Sequence, residues 1–372
     1  MPSKLRIVYI AHSLRSDWNN GNAHFLRGLM RAMTALGHDV TILEPETEWS
    51  IENLRTEQLG ERSLEEFAQT YPDLNVRTYA ACDREAEWRE RLGGAQIVIL
   101  HEWNPPALAQ LLLKLRGKLG FKLVFHDTHH RASSSPEQMA LFGLDRFDGI
   151  VVFGGALRRI YKERFGIERA WTLHEAADVS VFSPQLHFRR QTDVVWIGNW
   201  GEGERSAEIQ EFFLNPAREL ANKNFTNFTI YGVRYPEEGL TALREARVGY
   251  GGYLPNLDAP AIYAAARLTV HIPRQQYAAV MTGIPTIRVF EALACGIPLV
   301  SAPWQDTEQL FRPGDLQFAG SAKEMITAMK FILSEPEAAA EQACRGLETV
   351  LARHTCVHRA QELTGICEEL LV

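Results

Sequence analysis

Residues 5–11 are almost unbrokenly apolar, and a continuous run of this length reads as a strand buried on both faces of a parallel sheet. A polar, Asn-rich turn over 12–20 leads into Gly21. From 22 to 36, Phe25, Leu26, Leu29, Met30, Met33 and Leu36 recur at helical spacing, Gly37 stops the run, and 40–43 is a second strand. This is a β-α-β unit. Residues 47–95 are mixed in pattern, with a helix predicted over 51–69 and a strand over 76–79. Strands follow at 96–100, 122–125 and 149–153, separated by helices over 107–119 and 136–144. A helix over 156–165 and a short strand at 171–173 complete the series. An irregular stretch, 174–184, reads as a linker, after which the alternation restarts. The second series has strands at 194–198, 228–231 and 268–271 and helices over 207–223, 322–333 and 335–352.

Strand and helix alternating in this way predicts doubly wound parallel sheets. At 372 residues the chain is long for one core and suits two Rossmann-like α/β domains facing a cleft. The boundaries predicted are 1–184, an acceptor-side domain, 185–352, a nucleotide-sugar-binding domain, and 353–372, a helical tail. In open parallel sheets ligands bind beyond the carboxyl ends of the strands, so the residues just past those ends carry the candidate chemistry. They are His12, His101 with Glu102, His126 with Asp127, and Asn199 with Trp200.

The stretch from Thr282 to Ser301 joins a loop, a short helix, a glycine stop and a buried strand. Thr286 is placed to cap the helix, Gly296 to end it in a left-handed conformation, and Pro298 to prevent its continuation. The first helical turn, at Thr286 and Ile287, offers backbone N–H groups to an anion. Arg288 and Glu291 lie one turn apart. They fit a phosphate contact and a ribose contact, or an ordinary i,i+3 ion pair.

Net charge is −7, with −2 over residues 1–185 and −5 over the remainder, so neither half is a basic nucleic-acid domain. Cys82, Cys295, Cys344, Cys356 and Cys367 form no CxxC pair and point to a reducing compartment, hence to the cytoplasm. His354, Cys356 and His358 alternate, but without a second cluster they do not predict a metal site. No stretch approaches the roughly 20 apolar residues that span a bilayer.

The chain resembles the GT-B glycosyltransferases, in particular the family-4-like group and, within it, the spore-protein CgeB-type transferases. Five segments in the family's order carry the resemblance. Gly21-Asn22-Ala23 opens a helix that closes in Leu36-Gly37-His38-Asp39-Val40-Thr41. Ala176-Ala177-Asp178 precedes Phe182-Ser183-Pro184, like the interdomain linker. Val195-Trp196-Ile197-Gly198 is followed by Arg205, beyond a loop of Gly201, Glu202, Gly203 and Glu204. Gly252-Tyr253-Leu254-Pro255 stands before the segment from Ile262 to Leu268. Phe290-Glu291-Ala292-Leu293-Ala294-Cys295-Gly296-Ile297-Pro298 matches the family's most recognisable motif.

The resemblance implies a metal-independent hexosyltransferase that uses a nucleoside-diphosphate sugar, UDP- or GDP-linked. Gly198, Asn199 and Arg205 would meet the diphosphate, Tyr253 and Leu254 would pass the base, and Arg288 and Glu291 would meet phosphate and ribose. Gly283 stands where the family places an earlier glutamate, near the donor sugar. The acceptor would be a glycan, protein or small-molecule hydroxyl, with no nucleic acid and no transmembrane segment involved. His126 and Asp127 are the candidates to receive its proton or to contact the sugar, with Arg288 serving catalysis at the phosphate. His12, Trp18, His24 and His101 would line the acceptor side. A histidine at a strand end can equally be a packing residue, Arg205 a solvated charge, and Trp18 a cover for apolar surface. Two other functions stay open: a degenerate protein that binds nucleotide or glycan without turnover, and a nucleotide-sugar epimerase.

Overall fold

The computed structural model describes residues 4–80, 82–185, 189–201, 203–224 and 226–372. They form two compact units, Met1–Glu175 with Cys356–Val372, and Ala176–Thr355. The chain therefore passes out of the first unit near residue 175 rather than 184. The C-terminal stretch is a helix, Cys356–Leu371, that belongs to the first unit. It packs on the helix Ala23–Ala35: His38 Nε2 and Thr364 Oγ1 lie 2.9 Å apart, and the Cys356 thiol points at the Phe25 carbonyl at 3.9 Å.

In the first unit the strands are β1 (Arg6–Ile10), β2 (Asp39–Pro45), β3 (Val76–Tyr79), β4 (Ile97–His101), β5 (Lys122–Asp127), β6 (Gly149–Val152) and β7 (Ala170–Thr172). They pair in parallel in the order β3-β2-β1-β4-β5-β6-β7. Strand order reverses beside β1, so the crevice between the ends of β1 and β4 is the switch point at which such sheets bind ligands. Every residue of β4 and β6 is buried, as a parallel strand covered by helices on both faces requires.

The second unit holds β8 (Thr192–Ile197), β9 (Phe228–Tyr231), β10 (Val248–Tyr250), β11 (Ala266–His271), β12 (Leu299–Ser301) and β13 (Gln317–Phe318). Their order is β10-β9-β8-β11-β12-β13, again parallel, with the switch point between β8 and β11. Trp196, Phe213, Phe228, Ile230, Leu268 and Val300 form the centre of its apolar core.

Three predicted helices are subdivided. That over 51–69 is two helices, Trp49–Leu54 and Gly60–Thr70, because the chain doubles back at Gly60, where a Cβ would fall 1.9 Å from the Leu54 carbonyl oxygen. That over 136–144 becomes Pro136–Ala140 and a 3-10 turn at Leu144–Arg146, with Gly143 at φ +68° between them, and a further short helix, Arg131–Ser134, precedes it and stops before Pro136. The one over 207–223 is Ser206–Ile209 and Asn215–Asn224 joined by a π-helical turn, Gln210–Leu214. Pro216 lacks the N–H that a regular register would use there.

Candidate functional site

At the switch point of the first sheet, β4 and β5 bring His101 directly beside His126. His126 Nδ1 lies 2.7 Å from the Tyr9 hydroxyl of β1, and its Nε2 is buried without a hydrogen-bond partner among the described residues. His12, just past β1, stacks on His101 with ring centroids 5.2 Å apart. His101 Nε2 faces Thr128 Oγ1 at 3.1 Å and Glu102 Oε2 at 3.0 Å. Thr128 in turn donates to Glu102 Oε1 at 3.3 Å and accepts from Asn22 Nδ2 at 2.8 Å. His101 Nδ1 is buried without a hydrogen-bond partner among the described residues.

Burial dominates the electrostatics of this cluster. It holds His101 neutral, pushed down to about 3, with the Arg131 cation adding to the effect. His12 and His126 are likewise driven well below the usual imidazole range, by burial first and by neighbouring His101 second. Burial raises Glu102 to about 7, against the pull of Arg131, and raises Asp127 to about 7 with the Glu102 charge contributing. Asp127 is already engaged at both oxygens: Tyr161 donates to Oδ2 at 2.5 Å and the His129 N–H to Oδ1 at 3.0 Å.

Other expected residues on this side fall elsewhere. Trp18 is 7% exposed, with Nε1 donating to Glu57 at 2.7 Å, so it offers no open face. The exposed indoles are Trp49, edge-on to Trp18 and 50% exposed, and Trp103, 44% exposed with the Arg131 guanidinium 4.2 Å over its ring. His24 lies buried in the first turn of the helix Ala23–Ala35. Glu102 was visible in the sequence as a strand-end neighbour. Thr128 and Arg131 carried no local signal, since their partners are more than 20 residues away.

In the second unit, β8 ends at a glycine turn. Gly198 N–H donates to the Tyr231 carbonyl at 2.8 Å, the Gly198 carbonyl accepts from the Tyr235 hydroxyl at 2.8 Å, and a Cβ at Gly198 would lie 2.5 Å from the Trp196 ring. Asn199 Oδ1 accepts from the Val233 N–H at 2.8 Å. Glu202 lies outside the described residues. Gly201, at φ +84°, lets the Arg205 side chain fold back, since a Cβ there would meet Arg205 Cγ at 2.9 Å. The Arg205 guanidinium sits 5.7 Å from the Trp196 ring centroid, and its Nε is buried with no acceptor among the described residues. Burial and then the neighbouring Arg274 cation depress it to about 10.

Across the switch point, β11 ends in His271, a residue the sequence reading passed over although it closes a predicted strand. It is held neutral, pushed down to about 3 by burial and next by Arg205. His271 Nδ1 faces Ser301 Oγ at 2.8 Å and Nε2 faces Thr286 Oγ1 at 3.1 Å. Thr286 thus stands at the N-cap of the helix Ile287–Ala294, as expected, but its side chain makes no capping bond and serves His271 instead. Ile287 is buried in the first turn. Arg288 bonds Glu291 at 2.5 Å, while Asn256 Nδ2 donates to the other Glu291 oxygen at 3.4 Å, so the buried carboxylate is fixed in place. Cys295 closes the helix and Gly296 follows at φ +65°. Tyr253 and Leu254 are half-buried in the loop after β10, beyond Gly252 at φ +68°, whose carbonyl accepts from the Gly232 N–H at 2.9 Å.

Gly283 has φ +99°, and a Cβ there would lie 2.1 Å from Thr307 Oγ1. The loop is built around the glycine and has no room for a glutamate. A carboxylate oxygen of Glu308, from the loop after β12, lies 3.7 Å from that Cβ position.

Two parallel α/β units, each with polar side chains gathered at its switch point, define the GT-B architecture. Residues 19–180 match the family described as Glycosyltransferase Family 4, and residues 205–365 match that described as Glycosyl transferase-like. The chain belongs to the GT-B glycosyltransferases. No curated protein sequence matches it significantly. Among solved structures it is similar to Anabaena HepE in complex with UDP and glucose, at 12% identity and TM-score 0.70, covering 98% of this chain and 100% of that one. It is also similar to an α-glucosyltransferase in complex with UDP and a 13-mer DNA containing an HMU base, at 12% identity and TM-score 0.69, covering 98% and 100%. A third is sucrose-phosphate synthase from Thermosynechococcus elongatus, at 15% identity and TM-score 0.65, covering 99% of each chain. At these identities the likeness is one of fold. No described helix is long and apolar enough to cross a membrane. Among the described residues no His, Cys, Asp or Glu group is arranged to hold a metal, and His354 of the alternating motif bonds the Leu310 carbonyl at 2.7 Å.

Proposed function

We propose that the protein transfers a hexosyl group from a nucleoside-diphosphate sugar, UDP- or GDP-linked, to a hydroxyl acceptor without a metal. The observation that carries this reading is Arg205: a guanidinium at the end of β8, its Nε shielded and without an acceptor among the described residues, beside a second cation and a neutral imidazole. A shielded cation in that state, facing a second cation, is stabilised further by an arriving anion. Breaking the sugar–phosphate bond leaves charge on the diphosphate, and fixed cations and N–H dipoles at the strand ends lower that barrier. Arg205, Arg288 and the first turn of the helix Ile287–Ala294 act on the phosphates, and Glu291, fixed by Arg288, accepts from the ribose hydroxyls. Gly198 and Asn199 admit the diphosphate to the end of β8, and Tyr253 and Leu254 lie along the base. The solved neighbours that hold UDP support a uridine donor.

The neutral histidines of the first unit suit contact with uncharged hydroxyls. His101 Nδ1 and His126 Nε2 are buried ring nitrogens without a hydrogen-bond partner among the described residues, His12 stacks on His101, and these residues, with Asp127 as the support of their loop, handle the acceptor or the sugar. Arg288 in the loop-to-helix motif favours the CgeB-type group. The scatter of free cysteines favours the cytoplasm.

The test is hydrolysis and transfer with a panel of UDP-, GDP-, ADP- and TDP-hexoses, on wild type and Glu291→Ala. Release of sugar from one donor, reduced at least about tenfold in the variant, is expected for loss of a hydrogen bond to a charged group. Tight nucleotide binding with no turnover on any donor would identify a binding protein instead, and an epimeric nucleotide sugar would identify an isomerase.

A further inference from the structure

Arg205 has a neighbour of the same charge that does have a protein partner. Arg274, three residues past the end of β11, places Nη1 2.5 Å from Glu204 Oε2. Around that pair the Gln275 N–H donates to the Glu204 carbonyl at 3.2 Å and the Gln275 amide donates to Glu208 Oε1 at 2.9 Å. The loop leaving β11 is thus pinned to the loop leaving β8, across the second switch point. The two guanidinium groups are close enough for Arg274 to depress Arg205, and the imidazole of His271 at the end of β11 is neutral. Two like charges share one carboxylate, and bringing them together is favourable only once more negative charge arrives.

We propose that Arg274 is a switchable phosphate ligand: Glu204 holds it in the free protein, and the donor's diphosphate takes it from Glu204. The proposal rests on the donor-site reading above and adds a residue to it, one that makes the site select diphosphate over monophosphate. Both partners of the pair are partly exposed, Arg274 by 26% and Glu204 by 33%. An ion pair in that environment changes an equilibrium only a few-fold, whereas a charge-assisted contact to phosphate is worth about tenfold or more. The diphosphate therefore wins the competition, and Glu204 sets how much affinity is lost to it.

The test is calorimetric titration of UDP and UMP, and of GDP in parallel, into wild type, Arg274→Ala, Glu204→Gln and Arg205→Ala, each first checked for a normal melting transition. Arg274→Ala is expected to weaken UDP binding about tenfold and to narrow the UDP-over-UMP preference by a similar factor. Glu204→Gln frees Arg274 and is expected to tighten UDP by up to about fivefold. If Arg274→Ala binds UDP as wild type does while Arg205→Ala loses it, the Arg274 proposal fails and the donor site stands. If Glu204→Gln weakens UDP, the competition is refuted. If wild type binds none of the nucleotides, the donor-site reading fails and the proposal with it.

Discussion

The two switch points solve different electrostatic problems. At the end of β1 and β4, three histidines are kept neutral and two carboxyls are raised into the neutral range, all by burial, in a network where Tyr9, Tyr161, Thr128 and Asn22 supply the hydrogen bonds. At the end of β8 and β11, one imidazole is kept neutral but two guanidinium groups stay charged, one of them, Arg274, paired with Glu204. The first arrangement suits uncharged hydroxyls. The second suits a multiply charged anion. One fold, used twice, provides the same scaffold, and the side chains just past the strand ends decide what each copy handles.

The sharpest way to break this contrast is Arg205→Ala. It should weaken a nucleoside diphosphate about 100-fold, close to 3 kcal/mol for a shielded charged contact, while Glu102→Gln leaves that affinity within about twofold. Titration calorimetry on both variants checks it, and equal losses would erase the distinction between the two sites.

Next in size is a pH effect confined to the first unit. Glu102 and Asp127 hold their protons up to about 7 when folded, against ordinary values of 4.5 and 3.8. These two groups bind more protons folded than unfolded in that window, so their own contribution is fully present below the ordinary carboxyl range and is lost as pH rises through about 7, while the buried histidines, driven below the usual imidazole range, contribute in the opposite sense. Glu102→Gln removes its share. Relative to wild type the variant should gain about 2 kcal/mol between pH 5 and pH 8, read from denaturant midpoints at each pH. A Glu102→Gln profile that runs parallel to wild type over that interval would show that Glu102 ionises normally.

A comparable cost, about 2 kcal/mol, is expected for Gly283→Glu, which forces a side chain into a left-handed backbone and against Thr307. Denaturant unfolding measures it, and an unchanged midpoint would mean that the loop adapts freely. The smallest effect belongs to Thr286→Ala, which removes the contact to His271 and should cost about 1 kcal/mol, with Thr286→Ser close to wild type. A larger loss from the serine variant would point to the methyl group rather than the hydroxyl.

The strands were legible because the middle of a doubly covered strand has to be apolar, as in the runs 7–10 of β1, 97–100 of β4 and 123–125 of β5, and the glycine stops at Gly37 and Gly296 mark helix ends without any tertiary information. Two strands were missed for the opposite reason. Val248–Tyr250 exposes two of its three residues, and Gln317–Phe318 has only two residues. The candidate site was legible where polar side chains sit at a strand end or in a local motif, as with His126, Asp127 and the Arg288–Glu291 turn. It was not legible where partners meet from afar: Arg274 finds Glu204 across 70 positions, and Arg131 reaches the Glu102 carbonyl across 29. Burial was equally hidden. Trp18 reads like a platform in sequence, but its edge packs against Trp49, which takes the exposed position.

The most direct measurement is a crystal structure of the protein grown with UDP. The account predicts the diphosphate at the carboxyl ends of β8 and β11, within hydrogen-bond distance of the Arg205 guanidinium, with Arg274 turned from Glu204 towards a phosphate oxygen. UDP bound at the end of β1 and β4 among His12, His101 and His126, with Arg205 still without an anion, would contradict it.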